Sequence, residues 1–526
     1  MSLFSMKSGQ TCARLVEAGV AVGIAAMVTG CGTNYRPVVT PINPSGPAQQ
    51  PQSLAVVVSQ PSPTAAGIAT IIDYSGDTTM AKASIGPAPI AFTLDESGGT
   101  GYTVNSDGTL TNFDATTNLR TDPTHVRYST LPTTAQPVQL YSPSSGLWAA
   151  DQDGDVADVF QSIPETFLRS IPVSPTPIAI MGPLSPSQRN FAISQNNSST
   201  SPGDVIPFGV ACNIAPAGVT QNGEADALEV TSYTVSAKIP LGKCPVYAVE
   251  SNDNKRFFVL NRGSDTVTVI NSQDDTLNSC TPFFDPNAGR MVTCHPTLPL
   301  STTAVNTTGI SPPNGIKGMG TIAGPVYAEY NTTTSQLVVA NYDGGSISII
   351  DVSLDEYGND SPTFGTTFTV KVGNTATPYP ASVTVLNVND DLRAYTANQG
   401  DGTTNGTVTV VNLSSHTVEK TLDVVGHPRT VVSTANSLYG KVYAAAPDSP
   451  YLTIINTGGT VPDTVDTTVL VEGNIVDVRV TTQTGSTGNS IITSRRPGGG
   501  QPCYLPPTLL SAGTLTANPA ACWTMP

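Results

Sequence analysis

One pattern of apolar and polar positions recurs four times between residues 257 and 455. Each copy has an apolar strand, a polar turn and a second strand in which apolar residues alternate with polar ones. The copies read FFVLNRGSDTVTVINS, LVVANYDGGSISIIDV, AYTANQGDGTTNGTVTVVNL and VYAAAPDSPYLTIIN. Weaker copies begin at Gly101 and Leu147. A supersecondary unit repeated at this spacing predicts a repeat architecture built from β-strands.

A proline stands at the start of most units, just before an apolar strand. Proline suits this position because it fixes φ and has no N–H that could be left unpaired. The starts are Pro89, Pro137, Pro177, Pro245, Pro325, Pro380 and Pro428. An eighth start at Gly473 lacks the proline, and only one further strand-like segment, NSIITS, follows it.

The outer strands missing from this eighth unit have candidates at the other end of the chain. Segments beginning at Ser53, Gly67 and Thr78 have strand character. A last blade assembled from both termini would close a ring and remove exposed sheet edges. We therefore expect an all-β chain whose residues 54–500 form a single β-propeller of seven or eight four-stranded blades, with N- and C-terminal strands closing the last blade.

Residues 1–30 have the pattern of an export signal, in which basic residues precede a short apolar stretch. The sequence VTGC that ends at Cys31 resembles the lipobox of bacterial lipoproteins. The resemblance implies that Cys31 carries acyl chains such as palmitate and anchors the protein to a membrane. An ordinary signal peptide followed by a coincidental cysteine is the alternative. The polar, Pro-rich residues 31–53 then form a tether.

Six further cysteines predict disulfides and an oxidising compartment. Many pairings are open to six cysteines, and pairing between sequence neighbours is favoured, which gives Cys212–Cys244, Cys280–Cys294 and Cys503–Cys522. The last pair would link a C-terminal tail over residues 501–526. A zinc–thiolate site is the competing interpretation, but the chain has no CxxC pair.

The repeated motif resembles the YVTN β-propeller repeat of bacterial and archaeal surface proteins. In that repeat an apolar pair precedes an Asn, and a polar turn and an alternating strand follow. The Asn position is occupied by Asn105, Asn261, Asn341 and Asn398, while Asp151 and Pro447 replace it in two other units. The resemblance implies a propeller in the bacterial cell envelope, facing the periplasm or the exterior. It also extends to 6-phosphogluconolactonase-like proteins.

Composition and charge narrow the function further. The chain has 47 Gly, 44 Pro and only 12% charged residues, as expected for many short strands joined by tight turns. Its formal net charge of −16 would repel a phosphate backbone, so nucleic acid is not expected as a partner. No P-loop, Rossmann fingerprint or G-x-S-x-G elbow is present, so no cofactor and no catalytic residue are predicted.

Two groups of residues are candidates for binding. Oxygen ligands at alternate positions resemble the start of a calcium loop, although the same segment also matches an Asp-Gly hairpin turn. These ligands are Asp151, Asp153, Asp155 and Asp158. Cationic or titratable residues occur in turns that lead into innermost strands, where a propeller's central channel opens. These residues are Lys243, His427 and Arg429, and ordinary solvated loop residues are the alternative.

The function expected from these features is that of a membrane-anchored, non-enzymatic binding module for a protein, a glycan or a small ligand. The alternatives are a lactonase-like propeller enzyme and a structural surface-layer or adhesion component. An enzyme would need acid, base or metal groups that converge on the innermost strands, but the innermost strands readable from the sequence are nearly all apolar or hydroxylic.

Overall fold

The computed structural model describes residues 54–481 with interruptions. The interruptions are 96–97, 116–126, 131–136, 143–145, 153, 163–164, 183–188, 197–211, 213–215, 305–317, 389–390, 436–439 and 459–461. The signal, the tether, the C-terminal tail and the NSIITS segment therefore lie outside the described residues, as do Cys31, Asp153, Cys503 and Cys522.

The described chain forms eight antiparallel blades, which we number 1 to 8; seven have four strands, and in blade 4 a fifth short strand also pairs with the third. Blades 1 and 2 contain β4 (Pro89–Leu94), β5 (Thr100–Asn105), β6 (Thr109–Asp114), β7 (Arg127–Thr130), β8 (Pro137–Tyr141), β9 (Leu147–Asp151), β10 (Val156–Ser162) and β11 (Glu165–Pro172). Blade 3 contains β12 (Pro177–Met181), β13 (Arg189–Ser194), β14 (Asn222–Glu229) and β15 (Thr234–Lys243), with a 3-10 helix at Pro216–Gly218. Blade 4 contains β16 (Pro245–Glu250), β17 (Arg256–Asn261), β18 (Thr266–Asn271), β19 (Thr276–Leu277) and β22 (Thr297–Pro299), with a separate hairpin of β20 (Phe283–Asp285) and β21 (Arg290–Val292).

Blades 5 to 7 follow the same order from the inside outward. Their strands are β23 (Pro325–Asn331), β24 (Gln336–Asn341), β25 (Ser346–Asp351), β26 (Thr367–Lys371), β27 (Pro380–Val388), β28 (Asp391–Asn398), β29 (Thr407–Asn412), β30 (Thr417–Asp423), β31 (Thr430–Ala435), β32 (Gly440–Ala445), β33 (Tyr451–Asn456) and β34 (Thr464–Leu470). Blade 8 combines β35 (Asn474–Val480) with β1 (Leu54–Gln60), β2 (Ala66–Asp73) and β3 (Thr79–Pro87).

Blade 8 confirms the expected closure by strands from both termini. β35 is the innermost strand, and β1 pairs with it in antiparallel register from Ala55↔Val480 to Gln60↔Asn474. The three N-terminal strands complete the sheet. The ring therefore has eight blades, which decides between the seven and eight that the sequence left open.

The prolines at the starts of the units begin the innermost strands of blades 1 to 6, and Pro428 lies two residues before β31. In those six blades the register shifts by one residue directly after the proline, which defines a β-bulge. The residue before the proline has positive φ in several blades, as at Thr176 (59°), Cys244 (50°) and Gly324 (61°). At Gly324 a side chain would also collide with the Asp343 carboxylate.

The hydrophobic core lies between neighbouring blades, where large side chains from facing sheets interdigitate. Phe191 of blade 3 stacks on Phe257 of blade 4 with ring centroids 4.6 Å apart. Tyr247 of blade 4 packs on Tyr327 of blade 5 at 4.4 Å. Because each interface repeats around the ring, stability is shared between blade interiors and the contacts between adjacent blades.

The innermost strands run between two faces. The upper face contains the connections that precede innermost strands, such as residues 242–244 and 426–428, together with the turns between second and third strands. The lower face contains the turns that follow innermost strands, such as residues 251–255. Leu54 and Thr481 meet on the lower face, where the Leu54 amide donates to Thr481 Oγ1 at 2.8 Å. Within the described segments, no helix combines the length and hydropathy needed to span a bilayer.

Candidate binding face

The Asn that recurs in the repeat is a buried structural residue of the upper face. Asn261 Nδ2 donates to Thr266 Oγ1 at 3.2 Å and to Thr268 Oγ1 at 2.8 Å, and its Oδ1 accepts from the Gly242 amide at 3.1 Å. The same pattern of donation joins Asn105 to Thr109 and Thr111, Asn341 to Ser346 and Ser348, and Asn398 to Thr407 and Thr409. The Asn therefore fixes the turn by satisfying buried hydroxyl groups.

In blade 7 the sequence reasoning placed this position one residue too late. A Cβ atom at Gly426 would contact Ala446, just as a Cβ atom at Gly86 would contact Asn105 and one at Gly242 would contact Asn261. Ala446, rather than Pro447, therefore occupies the Asn position. The turn is held instead by Asp448, whose Oδ1 accepts from the His427 amide at 2.9 Å.

Side chains on the upper face connect blades 4, 5 and 6. Arg262 forms a bidentate ion pair with Asp343, at 2.8 Å from Nε and 2.7 Å from Nη2. The Arg262 guanidinium also lies 5.0 Å from the Tyr342 ring centroid. The Tyr342 hydroxyl donates to Gln399 Oε1 at 3.1 Å. These bonds join the turn between the second and third strands of one blade to the equivalent turn of the next blade. The upper face is therefore held in place without a ligand.

His427 and Asp448 form a second fixed pair on the upper face. His427 Nδ1 contacts Asp448 Oδ2. This hydrogen bond raises the pKa of His427 against the opposing effect of burial, and the charges of Asp448 and Asp401 add to the rise. Burial alone would raise the pKa of Asp448, but the bonds from His427 lower it. An imidazolium paired with a carboxylate is therefore favoured over the neutral pair.

Lys243 is the last residue of β15, where blade 3 leads into blade 4, and is half-buried. Its amide donates to Ser264 Oγ at 2.6 Å, and its carbonyl accepts from the Gly263 amide at 3.0 Å. The adjacent Cys244 forms a disulfide with Cys212, which attaches the long insertion between β13 and β14 to this connection.

This bond and Cys280–Cys294 confirm two of the expected disulfides. Disulfides indicate an extracellular or periplasmic protein.

Arg429 is not an exposed loop residue, contrary to the expectation from sequence. Only 2% of it is exposed, and its Nη2 donates to the Val476 carbonyl at 2.9 Å. Burial lowers its pKa to about 10, an effect that Asp477 opposes. Arg429 thus belongs to the wall between blades 7 and 8. Lys243 and His427 occupy equivalent connections three blades apart, so the sequence-predicted cations are spread around the ring.

The polar groups of the innermost strands bind neighbouring blades. Gln139 Oε1 accepts from the Ile180 amide at 2.8 Å, and Gln139 Nε2 donates to the Ile180 carbonyl at 3.1 Å. The Val385 amide donates to Glu329 Oε1 at 3.1 Å, and Thr430 Oγ1 donates to Asp477 Oδ1 at 3.0 Å. The contacts of Gln139 and Glu329 satisfy backbone groups that a strand edge would otherwise leave unpaired.

The calcium candidates that the structure describes lie in different surroundings. Asp155 Oδ1 accepts from the Thr176 amide at 2.7 Å, a bond to the next blade. Asp151 occupies the Asn position of blade 2, and Asp158 lies seven residues later, where blades 4 and 5 carry Thr268 and Ser348. Across the described ranges no three His, Cys, Asp or Glu side chains are placed to hold a metal ion. Because Asp153 is outside those ranges, the calcium interpretation stays a prediction.

Asp158 is a buried carboxyl group beside another acid. It accepts from Ser170 Oγ at 2.5 Å. Burial raises its pKa to about 6, which the Ser170 bond opposes and the neighbouring Asp151 reinforces. The sequence grouped Asp151 and Asp158 as calcium candidates but did not predict that they lie together as buried acids. The signal was available, because the residues five and seven positions after the Asn site are hydroxylic in blades 4 and 5, whereas here they are Val156 and Asp158.

No family model matches the chain, and no curated protein matches it. Solved structures do resemble it. AztD of Citrobacter koseri is 12% identical with a TM-score of 0.50, and the match covers 81% of this chain and 97% of that one. A Bacteroides fragilis protein provisionally described as a 6-phosphogluconolactonase is 12% identical with a TM-score of 0.46, covering 83% and 99%. The protein is an eight-bladed β-propeller, and at these identities the likeness extends to the fold alone.

Proposed function

We propose that this protein is a lipoprotein of the bacterial cell envelope, anchored through Cys31, that binds a protein, a glycan or a small ligand on its upper face. The observation that carries the proposal is the set of bonds that fixes this face from blade to blade, from Arg262–Asp343 to His427–Asp448. A surface that is already ordered loses little conformational entropy when it binds a partner.

Binding is favoured over catalysis because Glu329 and Asp477, two of the acids on the innermost strands, have structural partners. Glu329 bonds the Val385 amide, and Asp477 is paired with Arg479 at 2.7 Å. A lactonase-like reaction would need acid and base groups directed toward one substrate position. The exposed turns of the upper face are therefore the better candidates for function.

The ligand is proposed to be anionic where it meets Lys243, because this residue brings positive charge to a chain of net charge −16. The test is a thermal-shift screen of inorganic phosphate, sugar phosphates and uronic acids on the wild type and on Lys243→Glu. We expect ligands to raise the melting temperature of the wild type and not that of the variant.

Lys255→Glu is the matched control. Lys243 and Lys255 are both half-buried and lie at opposite ends of β16, one on each face. Ligands that stabilise all three proteins equally would rule out the Lys243 site. Arg429 is left unchanged, because reversing a charge that is 2% exposed would disturb the fold itself.

A further inference from the structure

Blade 4 carries an insertion that interrupts its outermost strand. β19 and β22 both pair with β18, and between them the chain leaves the sheet to form the β20–β21 hairpin. The Cys280–Cys294 disulfide closes the base of this hairpin. A short hairpin alone would be marginally stable, so the cross-link keeps this one folded outside the sheet.

The hairpin is also bonded to the connection between β25 and β26 of blade 5. Arg290 Nη2 lies 2.7 Å from Asp355 Oδ2 and 2.6 Å from the Asp360 carbonyl. Asn359 Nδ2 donates to Asp285 Oδ2 at 2.9 Å. The hairpin and residues 353–364 together form a rigid projection, which we call the rim projection.

Asp360 holds the base of the rim projection. Its carboxylate accepts from Arg256 Nη2 at 3.1 Å and from Asn278 Nδ2 at 2.8 Å, and it contacts His295 Nδ1 at 2.9 Å. Asp360 is 1% exposed and Arg256 5%. A buried ion pair of this kind positions the projection firmly, because removing one partner would leave the other charge unpaired.

The tip of the rim projection exposes apolar side chains. Phe284 and Met291 are cross-strand neighbours, 59% and 57% exposed, and Phe283 is 43% exposed. The only charged residues between Cys280 and Cys294 are Asp285 and Arg290, both bonded to blade 5. The hairpin's own residues are therefore apolar at the tip and carry no net charge, while the acids Asp355, Glu356 and Asp360 belong to the blade 5 part of the rim projection. Exposed aromatic and Met side chains at one point usually indicate a contact surface.

The rim projection belongs to the lower face. Arg256, which bonds its base, is the first residue of β17, the second strand of blade 4. Leu54 is likewise the first residue of the second strand of blade 8, so both lie at the same ends of equivalent strands. Blades 4 and 8 are opposite each other in a ring of eight. The tether thus joins the body on the same face as the projection and on the other side of the ring.

We propose that the tip of the rim projection rests on the bilayer surface, with Phe284 and Met291 at the boundary between headgroups and acyl chains. This inference rests on the proposed lipid anchor, which would bring the lower face to the membrane. Two contacts on opposite sides of the ring would hold the lower face toward the bilayer and turn the upper face toward solution. A second copy is the poorer occupant, because two chains of charge −16 repel each other.

The test places a tryptophan at the tip and measures its contact with lipid. The chain from residue 31 onward, with Cys31→Ser and an N-terminal hexahistidine tag, is held on phosphatidylcholine vesicles by a nickel-chelating lipid. Brominated acyl chains then quench indoles that reach the membrane. We expect Phe284→Trp to lose about half of its added emission, as an interfacial side chain would.

Tyr451→Trp is the matched control, because Tyr451 is 40% exposed and begins β33 on the upper face. Its added emission should be unchanged. Equal quenching of both variants, or of neither, would overturn the membrane contact. A blue shift of Phe284→Trp that depends on protein concentration without vesicles would identify a second copy as the occupant and would also overturn it. Since the tag supplies the attachment, this outcome is independent of whether Cys31 is lipidated.

Discussion

At the scale of single residues, one buried position in the third strand of a blade carries different side chains in different blades. It is Thr268 in blade 4, Asp226 in blade 3 and Asp158 in blade 2. Where Asn261 meets Thr268, a neutral amide satisfies a neutral hydroxyl. In blade 3 the corresponding Asp226 is also buried, but Lys238 lies opposite it with Nζ at 3.4 Å. In blade 2 only the Ser170 hydroxyl stands opposite Asp158. The acid pair of blade 2 therefore keeps a proton more readily than an exposed carboxyl group would.

We predict that Asp158→Asn removes part of the pH dependence of stability. A raised carboxyl pKa stabilises the fold below the unfolded value of 3.8, and that contribution is lost as pH rises through about 6. The rise corresponds to at most about 3 kcal/mol. Urea unfolding at pH 4 to 7 should show the variant gaining stability relative to the wild type as pH rises.

Asp107→Asn is the control for this measurement, because Asp107 is exposed in the turn between β5 and β6 of blade 1. Its unfolding free energy should follow the wild type across the same pH range. If Asp158→Asn also follows the wild type, the proton is not held by the acid pair.

At the scale of elements, the chain builds each blade from local hairpins and leaves only blade 8 to a long-range pairing. β1 pairs with β35, more than 400 residues away in sequence. Without β1, the edge of β35 would be open and the blade would lose the side chains that it packs against blades 1 and 7, such as Val56 and Val57. Closure therefore joins the two ends of the repeat into one cooperative ring.

We predict that deleting residues 54–87, which removes β1 to β3, abolishes the cooperative thermal transition of the protein. Deleting residues 31–53 should leave the melting temperature unchanged, because the tether precedes the first strand. Differential scanning calorimetry of both chains makes the comparison. A 54–87 deletion that melts like the full protein would show that the N-terminal strands are dispensable.

At the scale of the whole molecule, the two faces differ in what they offer. The upper face presents turns fixed by ion pairs and hydrogen bonds. The lower face contains the point where the body continues from residue 53, together with the rim projection. A lipid at Cys31 would therefore orient the molecule, with the binding turns directed away from the membrane.

We predict that Cys31→Ser moves the protein from the membrane fraction to the soluble fraction or leaves its precursor uncleaved. The thioether at Cys31 is the strong anchor in this proposal, and a few apolar side chains at the rim projection would bind too weakly to replace it. Cell fractionation and immunoblotting give the result. A Ser variant that is still cleaved and still sediments with membranes would contradict the lipobox interpretation.

The sequence by itself determined the local parts of this fold. Alternating apolar positions and the prolines before innermost strands located the units and led to the expected ring, because strand period and proline geometry act within a few residues. Two neighbouring disulfides, Cys212–Cys244 and Cys280–Cys294, were also predicted correctly. Even the closing blade followed from counting strands, since a propeller with an open edge would leave the backbone N–H and C=O groups of that edge unpaired.

Only the tertiary structure decided which polar residues meet. The sequence predicts that Arg429 is a cation in a loop, but the adjacent blade buries it against Val476. The pairs Arg262–Asp343 and Asp360–Arg256 join residues roughly 80 and 100 positions apart, and no local pattern links them. Burial and partner choice depend on how blades pack around the ring. The environment of each charged group was therefore fixed by contacts between blades, which the repeat pattern of one blade does not encode.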